Sequence, residues 1–153
     1  MKQGILLAIA HVVLALSVAG KFAYDRETLP RVWVQTAPVD PYLPIRGRYV
    51  QLRLLLNSEV LNGSLVTLAV ENGQLVGRPA SGGEGLYVQG GTNGVKTLND
   101  PVAFFIPENV PDPSRRALGE QLWVEVSVPS EGLPRPVRLG VKKDGVLTPL
   151  DLR

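Results

Sequence analysis

Few side chains in this chain are suited to covalent or metal chemistry. Its 153 residues include no cysteine and a single histidine, His11. That removes thiol nucleophiles, thiolate metal sites and disulfides, and leaves little for a zinc centre or a serine–histidine–aspartate relay. The carboxylates needed for paired acid–base work, Asp40, Glu59, Glu71, Glu108, Asp112 and Glu125, are scattered. Asp100, Asp112 and Asp144 stand in turn contexts, where an Asx side chain serves the local backbone. Gly90-Gly91-Thr92-Asn93-Gly94 lacks the Lys-Ser/Thr ending of a phosphate loop and reads as a turn. The expectation is a protein that is not an enzyme and takes no metal or cofactor.

The densest group of interacting side-chain types is Asp40, Arg46, Gly47, Arg48, Tyr49, Leu52 and Arg53. Guanidinium forks beside a tyrosine can grip an anionic group or a partner's carboxylate, which makes these seven the candidate binding residues. A structural reading competes. Pro41 and Pro44 hold an extended approach, and Gly47 supplies a backbone angle that a side chain forbids just before a strand. Tyr49 and Leu52, three apart in a period of two, then point to opposite faces. Asp40 and Arg48 can also form a solvated surface pair of little energetic consequence.

Two kinds of element must position these groups. The stretch Gln3 to Gly20, QGILLAIAHVVLALSVAG, carries no charge. As a helix rising ~1.5 Å per residue it covers about 27 Å, close to a hydrocarbon core. Lys2 and the amino terminus flank it, so the positive-inside bias places the N-terminus in the cytoplasm and the remainder on the extracytoplasmic side. Phe22 and Tyr24 suit the interface, and Pro30 stops the helix, giving an anchor with helical extension over 1–29. Ser17-Val18-Ala19 resembles a small-x-small cleavage site, so a removed signal peptide ending at Ala19 or Gly20 is the alternative. His11, with no acid in the segment, is expected to be a neutral imidazole tolerated in a spanning helix rather than a proton relay.

Residues 30–153 read as one exported β domain. The 16 glycines and 13 prolines argue against a helical bundle. Alternating runs predict strands over 31–36, 48–54, 64–71, 74–77, 102–106, 122–128, 137–142 and 146–150. Asn72-Gly73 and Asp144-Gly145 have the composition of type I′ hairpin turns, and Asn62-Gly63 and Asn93-Gly94 mark further turns. Residues 77–85 read as a flexible surface loop, and Asp112-Pro113 as the start of a two-turn helix through Glu120. Trp33 and Trp123, each among valines, are expected in the core. The fold class is mainly β, an antiparallel small barrel or sandwich with one short helix, preceded by a single N-terminal transmembrane helix. A net charge of +2 without a run of like charges or an aromatic platform gives no nucleic-acid signature.

The run from Val39 to Leu54, VDPYLPIRGRYVQLRL, resembles the GDYXXLXY family. Gly47, Tyr49 and Leu52 match the motif that names it, while Arg48 stands at its acidic position and Leu54 at its last tyrosine. Val39-Asp40-Pro41 ahead of the motif and Phe104-Phe105-Ile106-Pro107-Glu108 after it extend the likeness. The resemblance implies a membrane-anchored bacterial protein without an assigned activity, and any role that needs a carboxylate at position 48 is lost here. A Pro-x-x-Pro-x-x-Gly approach behind a single anchor also resembles type I signal peptidases. Those need a serine ahead of the approach and a lysine base, and here only Thr36 and Lys96 stand near such places. The function expected is a non-enzymatic accessory or interaction module, anchored in the membrane and contacting another membrane or envelope protein. The alternative is an exported small-ligand-binding domain or weak hydrolase.

Overall fold

The structure is a computed structural model, and it describes residues 2–37, 49–90 and 94–152. Helix α1 (Lys2–Thr28) is apolar around its circumference rather than along one stripe, and the most apolar stretch of its membrane-length portion Gly4–Thr28 has no residue buried inside the protein. Three polar side chains along it return to carbonyls four residues earlier. His11 Nδ1 lies 2.8 Å from the Leu7 oxygen, and the hydroxyls of Ser17 and Thr28 donate to Val13 and Tyr24 at 2.7 and 2.8 Å. Such back-bonding satisfies polar side chains inside the helix itself, which is what an apolar solvent requires. The Leu29 amide donates to the Asp25 carbonyl at 3.0 Å and closes the last turn before Pro30.

Ten strands follow: β1 (Arg31–Ala37), β2 (Tyr49–Asn57), β3 (Leu65–Glu71), β4 (Gln74–Pro79), β5 (Leu86–Gln89), β6 (Val95–Leu98), β7 (Val102–Phe105), β8 (Gln121–Ser127), β9 (Arg135–Lys143) and β10 (Val146–Pro149). They pair in the order β10-β9-β8-β1-β2-β4-β3-β5-β6, with β7 on β2. A further β2–β6 pairing closes the ring β2-β4-β3-β5-β6 into a five-stranded barrel. The pairings are antiparallel except β2–β4, which meet in parallel at Asn57↔Val76. Strand β2 is the hinge of the design. Its first half holds β7 and touches β1, and its second half belongs to the barrel.

Strict alternation explains the core. Val50, Leu52, Leu54 and Leu56 face inward from β2, and they join Val32 and Val34 of β1, Val66, Leu75, Val88 and Leu98 of the barrel, and Val124, Val126 and Leu139 of the flanking sheet in one aliphatic cluster. The hairpin turns are as the dipeptides specify, with positive φ at Asn72 (50°), Gly73 (73°), Asp144 (50°) and Gly145 (83°).

Four expectations need correction. Residues 112–120 form two turns and no helix. The Asp112 carboxylate accepts from the Ser114 amide and hydroxyl, and Gly119 takes φ 84°, so the segment is closed at both ends before a helical nucleus can propagate. Residues 77–79 are not loop but the end of β4. A Cβ at Gly77 would lie 2.6 Å from Leu56 Cδ1, so this glycine serves close packing. Strands β5 and β6, four residues each, are two elements beyond the strands expected. The tryptophans stand outside the core, as described next.

Candidate functional site

Of the seven candidate binding residues, Asp40, Arg46, Gly47 and Arg48 lie outside the described residues. The other three separate as the pleat requires. Leu52 is 1% exposed and belongs to the core, so it shapes the strand and offers no surface. Tyr49 and Arg53 share the outer face of β2. Tyr49 sits directly across from Phe105 in the β2–β7 register, their ring centroids 6.0 Å apart and tilted by 43°. Phe105 is 76% exposed, so the pair presents an aromatic surface at the start of the motif strand. Arg53 is half-buried opposite Ala37, and its Nε is enclosed without a hydrogen-bond partner among the described residues.

A richer cluster occupies the outer face of the β9-β8-β1 sheet. Trp33 and Trp123 project there, half-buried, because they alternate with the inward residues Val32/Val34 and Leu122/Val124. Arg138 covers the Trp33 ring at 5.3 Å and forks onto Glu125 at 2.7 and 3.4 Å, while Lys142 lies 4.6 Å over the Trp123 ring. Gly140 lets Trp33 lie flat on the sheet, since a Cβ there would stand 2.8 Å from the ring. Where β1 and β2 splay apart, both tryptophans border a cleft of about 300 Å³ that Gln35, Asn57 and Gln74 also line. Periodicity held the signal for this face: Arg31, Trp33 and Gln35 alternate with Val32 and Val34, and Gln121, Trp123 and Glu125 with Leu122 and Val124. Composition alone, a tryptophan among valines, pointed the other way.

A second set lies where α1 meets the sheet. Arg135 donates to the Asp25 carboxylate at 3.1 Å and covers the Phe22 ring at 5.4 Å; Arg31 donates to the Arg26 carbonyl, and the Val128 amide to the Pro30 carbonyl at 2.9 Å. These contacts join the end of the helix to β1, β8 and β9 around a hollow of about 340 Å³. No reading of the sequence joined Asp25 to Arg135, because only the sheet order brings positions so far apart together.

Thr36 and Lys96, the two residues nearest the places of a signal-peptidase-like pair, each bond to another group. The Thr36 hydroxyl is buried and donates to the Leu122 carbonyl at 2.9 Å, and the Lys96 ammonium donates to Asn62 Oδ1 at 2.8 Å on the barrel. Among the described residues no three His, Asp or Glu side chains gather as a metal site would require. A family model described as GDYXXLXY protein matches residues 11–139, from within α1 to the middle of β9. No curated protein and no solved structure matches the chain.

Proposed function

Since the chain belongs to the GDYXXLXY family, we propose that it is a single-pass membrane protein with its N-terminus in the cytoplasm, whose β domain stands outside the cytoplasmic membrane as a non-enzymatic contact module for another membrane or envelope protein. The supporting observation is the state of α1. A helix of membrane length is left uncovered by its own protein, yet its last turn is tied into the sheet by Asp25–Arg135 and Arg31. Burying that apolar surface in lipid satisfies it, and the tie holds the domain at the membrane surface. The Tyr49–Phe105 pair is then an exposed aromatic anchor of the kind that concentrates interface energy.

The test is retention of the full chain in membranes washed with alkaline carbonate, followed by crosslinking and purification. Membrane proteins are expected to co-purify, and Tyr49→Ala or Arg48→Glu to weaken that association with the circular dichroism unchanged. Release of the protein as a soluble product beginning near Gly20 overturns the anchor. An association indifferent to both substitutions returns the motif to a purely structural role. The tryptophan cleft favours a second reading, a small-ligand-binding domain, and ligand-dependent tryptophan fluorescence with no co-purifying protein would support it.

A further inference from the structure

The hollow at the helix–sheet junction is strongly polarised. Three guanidinium groups, Arg26, Arg31 and Arg135, line it against one carboxylate, Asp25, leaving an excess of two positive charges. Phe22 forms the wall nearest the apolar part of α1. Arg135 spends one nitrogen on Asp25, and Arg31 spends one on the Arg26 carbonyl. Each guanidinium has five N–H donors, so most remain available. The arginines are held at fixed places by the strands and by the last turn of the helix, which favours bidentate capture of a planar or tetrahedral oxyanion.

Depth identifies the anion. Phe22 to Arg26 lie about 3–9 Å along the helix beyond Gly20, the last residue of the charge-free segment. The headgroup layer on each side of a bilayer is roughly 5–8 Å thick. The hollow is therefore level with lipid phosphates when the charge-free segment fills the hydrocarbon core. Below it the exposed side chains of Val18 and Phe22 continue as an apolar track down α1. A free phosphate has nothing to lay on that track, whereas a phospholipid does. We propose that this junction is a binding site for the phosphodiester of an anionic phospholipid in the leaflet facing the β domain, with Arg26, Arg31 and Arg135 holding the phosphate and Phe22 abutting the glycerol and upper acyl chain. The inference rests on the membrane-anchored reading and adds a lipid ligand to it.

The experiment uses the full chain reconstituted in nanodiscs of mixed phosphatidylcholine and phosphatidylglycerol, with protein-bound lipid measured by native mass spectrometry. Phosphatidylglycerol is expected to be enriched on the protein. Arg26→Gln, which leaves every hydrogen bond of the junction in place, and Arg31→Gln are each expected to cut that enrichment roughly fivefold. Arg78→Gln, on the distant barrel, is expected to leave it unchanged. Soluble glycerophosphate at equal concentration is expected not to displace the lipid. A chain that will not stay in the bilayer removes the anchored reading and this site with it. A chain that inserts but shows no enrichment, or loses it equally with Arg78→Gln, overturns the site and leaves the anchor standing. Displacement by glycerophosphate overturns the lipid assignment.

Discussion

The two regions that share β2 have the same inward chemistry and opposite outward chemistry. On one side the closed ring β2-β4-β3-β5-β6 removes its sheet edges by pairing them, and its interior is aliphatic. Its outer ion pair, Arg78–Glu71, is a short solvated contact beside a hairpin. On the other side the open sheet β10-β9-β8-β1 carries both tryptophans, three cations over aromatic rings and the tie to α1. A closed barrel supplies rigidity. An open sheet, bearing on its outer face what the barrel lacks, supplies surface, and the helix is attached to that sheet rather than to the barrel.

The contrast can be broken most forcefully in the core. Leu98, fully buried in the barrel, has neighbours on a closed ring that cannot collapse into its place, so Leu98→Ala should cost roughly 2–5 kcal/mol in urea denaturation. Gly77→Ala should cost roughly 1–3 kcal/mol by the same measurement, because its new methyl meets Leu56 and the ring has no slack. On the open sheet, Arg138→Ala removes a ring contact and leaves Glu125, whose side chain is 12% exposed, without its fork. A loss of about 1–2 kcal/mol with altered tryptophan emission is expected. Smallest is Arg78→Ala, whose pair is 64% and 38% exposed and should be worth below ~1 kcal/mol, falling further in high salt. Equal losses for Arg138→Ala and Arg78→Ala would erase the distinction between the two faces.

What the sequence told in advance follows the same division. The long apolar helix, both hairpin turns and the inward face of β2 were legible because each depends on neighbours along the chain: a run of apolar residues, a dipeptide, a period of two. Family membership was legible from Gly47, Tyr49, Leu52 and their flanks. The Asp25–Arg135 tie and the barrel closure through Leu55↔Thr97 were not, since nothing local records which strands become neighbours. The false helix at 112–120 shows the converse. Its start signal, Asp112-Pro113, was genuine, but the same aspartate bonds to Ser114 and Gly119 ends the segment within a few residues. Trp33 and Trp123 were expected in the core from their aliphatic neighbours, whereas the alternation of β1 and β8 sets them half-buried on the outer face, which makes alternation the better guide to a half-exposed sheet.

The pairing of β1 also has a consequence in time. This strand follows directly on α1 in the chain, yet its principal partner is β8, met from Arg31↔Ser127 to Gln35↔Trp123. During synthesis Val32 and Val34 therefore emerge early and wait for almost the whole domain before that edge is covered. The barrel strands, all encoded between Tyr49 and Leu98, have no such delay. Loop-closure entropy makes the late, long-range pairing the slow one. The strand next to α1 is thus among the last to be secured, and the domain completes its contacts with the helix only when its distant sequence arrives.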